Sequence, residues 1–177
     1  MEHTAPPRRA AFFDRDGTVI ADYPDAQWAF AETPELLPGA IDALRTARQA
    51  GYAIIFITNQ YIIGEGIITA VQYARFSARL LQLLEAQGIP VLDIFHCPHA
   101  RSAGCTCCKP EPGLIVQALA RYPSLRLQES FFVGDSPCDQ ALARRLGLQF
   151  YGVGLPAAPD CIHLDSIAEL TGFLGQP

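Results

Sequence analysis

No apolar run in the 177-residue sequence reaches the roughly eighteen residues that a membrane-spanning helix needs, so no membrane partner is expected. The start, MEHTAPPRRAAFF, has basic residues but no apolar stretch long enough for a secretory signal, and a cytoplasmic protein is expected. Charge is scarce: 18% of residues carry it, the net charge is −5, and no Lys/Arg-rich run occurs. A general nucleic-acid binder leaves a basic stripe, so no nucleic-acid partner is expected. No internal repeat, low-complexity stretch or linker interrupts the chain. One domain over residues 1–177 is expected, large enough to bury a core without staples. No helical pattern shows a spare apolar face, which points to a monomer.

What is present is an alternation of short apolar runs with helical patterns. Residues 10–14 (AAFFD), 52–59 (YAIIFITN), 91–97 (VLDIFHC), 130–135 (SFFVGD) and 148–154 (LQFYGVG) read as strands. Helices are expected over 39–51, 69–88, 111–123 and 136–147, with a short closing helix over 165–170. The second opens on a Thr69 cap and places Tyr73, Phe76, Leu80, Leu83 and Leu84 on one face. The third turns Leu114, Ile115, Ala118, Leu119 and Tyr122 inward, and the fourth carries Pro137 in its first turn. Strands separated by helices of this length call for an α/β fold: a mostly parallel sheet with helices on both faces. In such sheets ligands bind outside the carboxyl ends of the strands. Asp14, Thr58, Asn59, Cys97 and Asp135 all fall at those ends.

Asp14 and Asp16 stand two apart at a strand end, so extended backbone points both carboxylates to one side. Two close carboxylates repel unless a cation lies between them, and a hard divalent ion, Mg²⁺ above all, resolves the conflict. A solvated Asp-Gly turn is the competing reading. Asp135 ends a neighbouring strand and Asp139 follows four residues on, where an acid also suits a helix start capped by Ser136. Thr58, Asn59 and Gln60 supply a hydroxyl and amides that suit either phosphate oxygens or a capped turn. Lys109 supplies the compact cation that a phosphate attracts.

The fourteen residues CPHARSAGCTCCKP, 97–110, contain four of the six cysteines. In a cytoplasmic chain these do not read as a disulfide framework. Cys97, His99, Cys105 and Cys107 offer the thiolate and imidazole ligands that close a tetrahedral zinc site. A redox pair at Cys107 and Cys108, or buried thiols, are the alternatives; adjacent cysteines make strained disulfides, and buried thiols leave His99 unexplained. Cys138 keeps helical step with Ala141, Leu142 and Leu146 and is expected in the core, as is Cys161. Residues 21–39, with Tyr23 and Trp28, lack periodicity and read as a plug at the edge of the fold.

Asp-Arg-Asp-Gly-Thr at 14–18, Thr58-Asn59-Gln60, Lys109, and Gly134-Asp135 with Asp139 together resemble the four motifs of the haloacid dehalogenase (HAD) superfamily of phosphohydrolases, in order and in strand-end position. The resemblance implies a Rossmann-like three-layer sandwich of the capless type, in which residues 21–39 flank the active-site mouth and Tyr23 and Trp28 would touch the leaving group. It implies Asp14 as nucleophile and Asp16 as general acid and base. Arg15, Thr58, Asn59, Gln60 and Lys109 would contact substrate or phosphate. Mg²⁺ would be held by Asp14, the main-chain carbonyl of Asp16, and Asp135, with Asp139 in support. The cysteine loop and its Cys-Pro-His opening resemble the zinc-containing subfamily of D-glycero-D-manno-heptose 1,7-bisphosphate 7-phosphatases and histidinol-phosphate phosphatases. That implies a structural Zn²⁺ on Cys97, His99, Cys105 and Cys107, fixing the position of Lys109.

A small phosphorylated metabolite is therefore the expected substrate, with the heptose bisphosphate as family default and histidinol phosphate as alternative. A polynucleotide 3′-phosphatase shares these motifs but is disfavoured by the acidic charge. A zinc-stabilised binding module without catalysis is disfavoured by the intact Asp14, Asp16, Lys109 and Asp135. The sequence departs from the subfamily at Cys108, where an arginine is usual. It departs also at Tyr61 with Glu65, and at Ser136, where small or basic residues are common. These changes remove cations that a second phosphate would use.

Overall fold

The computed structural model describes residues 9–174. In chain order its elements are β1 (Ala10–Phe13), α1 (Asp25–Trp28), α2 (Ala40–Gln49), β2 (Ala53–Asn59), α3 (Tyr61–Gly64) and α4 (Ala70–Ala86). There follow β3 (Asp93–Cys97), α5 (Gly113–Arg121), β4 (Phe131–Gly134), α6 (Pro137–Leu146), β5 (Gln149–Val153), β6 (Ile162–Leu164) and α7 (Leu170–Leu174). All six strands pair in parallel, in the order β3-β2-β1-β4-β5-β6. The mostly parallel α/β sheet expected from the periodicity is present, in the Rossmann-like sandwich that the resemblance implies.

The alternation of side chains along the strands explains why the central ones are apolar throughout. Ala11 and Phe13, Ile54 and Phe56, Phe131 and Val133 face one layer, packed with α2, α4 and α7. Ala10 and Phe12, Ile55 and Ile57, Phe132 and Phe150 face the other, with α5 and α6. A strand buried on both faces has no polar side to display. Each large side chain so buried contributes on the order of 1.5–3 kcal/mol relative to exposure.

Local chemistry fixes the helix starts. Thr69 opens α4 through a reciprocal bond pair, its hydroxyl accepting from Gln72 N–H at 3.1 Å while Gln72 Oε1 accepts from Thr69 N–H at 2.8 Å. Ser136 and Asp139 do the same for α6, behind Pro137. The five expected strands are all found, and β6 is an addition: three residues are too few to carry a legible period. The closing helix begins as a 3₁₀ turn at Ile167–Glu169 and continues into α7. Two core assignments are corrected. Leu83 is on the margin of the α4 stripe and is 38% exposed. Cys138 is exposed because the first turn of α6 overhangs the open end of the sheet, where there is no layer to bury it. Cys161 is buried as expected.

Candidate active site

Strand order reverses direction between β1 and β4, the place where an open α/β sheet leaves a crevice at its carboxyl edge. Asp14 leaves β1 with its N–H donating to Val133 O at 2.8 Å, and Asp135 leaves β4 beside it. Gly17 turns the chain at φ +84°, and a Cβ there would meet Asp135 Oδ2 at 2.3 Å. The turn after β1 therefore presses bare backbone against the neighbouring strand end, a fit available only to glycine. Thr18 Oγ1 completes the join by donating to Asp135 Oδ1 at 3.0 Å.

Lys109, the only lysine of the chain, enters this crevice from the far side of the cysteine loop. Its ammonium lies 2.6 Å from Asp14 Oδ1 and 2.7 Å from Asp139 Oδ1, and donates to Ile57 O at 2.9 Å. Burial works against its charge, but Asp139 and Asp14 outweigh it and hold the ammonium above the ordinary lysine range. Its main chain is bracketed by Asn59: Lys109 N–H donates to Asn59 Oδ1 at 2.8 Å, and Asn59 Nδ2 donates to Lys109 O at 3.2 Å. Asn59, expected among the phosphate contacts, lines the cleft and also holds the lysine backbone in place.

Asp16 faces the same cleft as Asp14 but keeps different company. Arg15 Nε and Nη2 donate to its two oxygens at 2.7 and 3.0 Å, and Gln60 Nε2 donates to Oδ2 at 2.5 Å. Gln60 also bonds Thr58 Oγ1 at 2.9 Å, so Thr58, Gln60 and Asp16 form one linked group. Arg15 is 1% exposed, with its guanidinium between Trp28, Tyr73 and Phe76 and a bond to Ser77. Expected among the substrate contacts, it is placed as the buried counter-ion of Asp16.

The carboxylates that converge are those of Asp14, Asp135 and Asp139, with ligand atoms within 4.8 Å of one another. Burial raises Asp14 well above the usual carboxylate range; Lys109 opposes, while Asp139, Asp135 and Asp16 add to the rise. Burial and then Asp139 raise Asp135 in the same sense. Such a group fits a hard divalent ion, whose charge removes the conflict. Asp139 contributes least to it, because Oδ2 already accepts from Ser136 N–H and Oγ, and Oδ1 pairs with Lys109. The cleft above is walled by Trp28, Tyr61 and Asp22 in addition to the strand-end residues. Trp28 is thus both an edge plug, at 6% exposure, and a wall of the cleft; Tyr23 packs on its ring from behind.

Cys97, His99, Cys105 and Cys107 bring their ligand atoms together as the spacing requires. Cys97 Sγ lies 3.1 Å from Cys107 Sγ and 3.4 Å from Cys105 Sγ, and His99 Nδ1 lies 3.2 Å from Cys107 Sγ. All six cysteines are free thiols. Burial pushes Cys97 up and Cys107 up to about 12. Cys105 falls to about 6, since main-chain N–H groups of Cys107 and Cys108 outweigh its desolvation. Three sulfurs and an imidazole at these separations suit one zinc ion, which takes thiolates at about 2.3 Å.

Comparison with known proteins agrees with this geometry. A family model described as polynucleotide kinase 3 phosphatase matches residues 9–152. The D-glycero-beta-D-manno-heptose-1,7-bisphosphate 7-phosphatase of Pseudomonas putida is 36% identical over 136 residues, 77% of each protein. The histidine biosynthesis bifunctional protein HisB of Legionella pneumophila is 32% identical over 143 residues, 81% of this chain and 40% of that protein. The crystal structure of the D,D-heptose 1,7-bisphosphate phosphatase from B. bronchiseptica, complexed with magnesium and phosphate, superposes with a TM-score of 0.81 at 26% identity. It covers 94% of this chain and 97% of its own. The chain belongs to the HAD superfamily, in the family of the D,D-heptose 1,7-bisphosphate phosphatases, and is a phosphoric monoester hydrolase.

Proposed function

We propose that the protein hydrolyses a small phosphorylated sugar through an aspartyl-phosphate on Asp14, with Mg²⁺ at the strand ends and Zn²⁺ in the cysteine loop. The observation that carries this reading is the convergence of Asp14, Asp16, Thr58, Lys109 and Asp135 on one cleft at the strand-order reversal. One Asp14 oxygen attacks phosphorus, a new O–P bond forms, and the ester P–O bond breaks. Asp16, fixed by Arg15 and Gln60, gives its proton to the departing oxygen and then takes one from the water that attacks the aspartyl-phosphate. That second displacement releases phosphate and restores Asp14. Lys109 and Thr58 hold the phosphoryl oxygens, and Asp139 holds Lys109. A bound Mg²⁺, held by Asp14, Asp135 and the Asp16 carbonyl, supplies the positive charge that lets an anionic phosphoryl group approach an anionic nucleophile. The Zn²⁺ is structural, and its four ligands fix the loop from which Lys109 projects.

D-glycero-D-manno-heptose 1,7-bisphosphate is the first substrate to test, supported by the names of the relatives at 36% identity. Histidinol phosphate is second, supported by the match to the Legionella protein. A small substrate accords with the net charge of −5 and with a cleft whose one cation among the described residues, Lys109, is 5% exposed. The test is phosphate release from a panel of phosphorylated sugars and histidinol phosphate, with and without Mg²⁺. Release should depend on Mg²⁺ and fall at least about 10³-fold in Asp14→Asn. Release that survives the substitution would overturn the mechanism.

A further inference from the structure

At the mouth of the cleft, Tyr61 is held from three directions. It directly follows Gln60 and opens α3, half-buried, with its ring among the walls of the cleft. Its hydroxyl donates to Asp25 Oδ1 at 2.9 Å. The guanidinium of Arg101 lies 4.2 Å from its ring centroid. Arg101 belongs to the cysteine loop, and it grips two other segments as well. Its Nε and Nη2 donate to the two oxygens of Glu65 at 2.9 and 2.7 Å, and Nη2 also donates to Asp25 Oδ2 at 2.9 Å. Beneath this clasp the backbones are in contact: a Cβ on Gly64 would meet Ala100 N at 2.3 Å and Pro98 O at 2.7 Å. The loop with the zinc ligands, α3 and the 21–28 segment therefore meet around one aromatic ring.

Exposed ion pairs add little to stability, so the clasp is poorly explained as a brace for the fold. Its defined effect is geometric. It fixes the plane of a ring beside the reaction site, with one face under Arg101.

We infer that Tyr61 is the wall against which the alcohol half of the substrate rests, and that Arg101 is the positioning residue that sets its plane. This rests on the phosphatase reading above. The chemistry recognised is a small polyol or sugar phosphate. Its C–H surface lies on the ring and its hydroxyls reach the polar rim, a division of labour to which tyrosine is suited. The cysteine loop thus serves two ends of the substrate, the phosphoryl group through Lys109 and the alcohol through Arg101 and Tyr61.

The test compares two phosphoryl donors: the best sugar phosphate of the panel, and acetyl phosphate, whose leaving group is too small to reach the rim. The readout is the ratio of kcat/KM for the two. Tyr61→Ala should lower that ratio about tenfold, through KM for the sugar phosphate and with kcat little affected. Arg101→Ala should lower it about threefold in the same manner, and Tyr61→Phe, which keeps the ring, should retain most of it. A ratio that does not move, whether both donors decline together or neither declines, overturns the inference while leaving the phosphatase reading intact. Failure of the wild-type protein to release phosphate from either donor overturns both.

Discussion

The two proposed metal sites of this molecule are assembled on opposite plans. The carboxylate site draws Asp14 and Asp135 from separate strand ends, and the Lys109–Asp14 and Thr18–Asp135 contacts span 95 and 117 residues. The Cys/His site draws all four ligands from residues 97–107. In the first, the sheet holds like charges together whether or not an ion is present, and burial raises both Asp14 and Asp135. In the second, the ligands meet within one short loop, whose one regular element is a 3₁₀ turn at Arg101–Ala103 and which is tied to the rest of the fold by Arg101 on Glu65 and Asp25 and by Asn59 on the Lys109 backbone. The fold makes the first site; local spacing along the chain makes the second. They meet at Lys109, whose ammonium belongs to the one and whose backbone follows directly from the other.

That contrast predicts different consequences for equivalent injuries. Cys105→Ser should have the largest effect on structure and function together. The loop loses its ion, the melting midpoint falls, and phosphate release drops about 100-fold or more as Lys109 and the rim lose their positions. Metal analysis should find one zinc per wild-type chain and none in the variant. Asp139→Asn comes next, because it removes one of the two carboxylates that hold the buried Lys109 and leaves only Asp14. The expected loss is about 1.5–3 kcal/mol by denaturant unfolding. Asp135→Asn should separate the plans most sharply, losing activity yet gaining on the order of 1 kcal/mol of metal-free stability, since a buried like charge is removed.

The gain has a pH signature. Asp135 has a raised pKa in the folded state, so its protonated form favours folding at low pH and that contribution fades as pH rises through the folded value. The advantage of Asp135→Asn should therefore be small near pH 4 and should grow toward neutrality in the presence of a chelator. Added Mg²⁺ should reverse it, because the wild-type carboxylate is then the better ligand. An advantage that shrank as pH rose would contradict the charge conflict described for this site. Breaking the exposed Arg144–Asp160 pair, which contributes no residue to either site, should leave midpoint and activity unmoved.

Much of this was legible in the sequence, for a physical reason. Strand periods and helix caps are local, so the end of each strand, and the polar residue standing there, could be read directly. The cysteine loop was legible because its ligands are neighbours in the chain. What could not be read were pairings made across the fold. Nothing in the local pattern says that Arg15 turns inward to Asp16, that Asn59 brackets the backbone of Lys109, or that Asp139 holds the lysine. Cys138 misled because helical step tells which residues share a face, not whether another layer covers that face. Tyr61 and Glu65 stood out as unusual residues at their positions, but the arginine that joins them lies 36 residues beyond Glu65.

The solitary lysine carries a practical consequence. Reagents and enzymes that modify side-chain amines find a single target here, and it is Lys109, 5% exposed and kept protonated by two carboxylates. A protonated amine is a poor nucleophile, so the folded protein should resist acylation of its side chains under conditions that label most proteins heavily. Labelling at Lys109 would then count the molecules whose active site has come open, and its time course would measure how often the site opens.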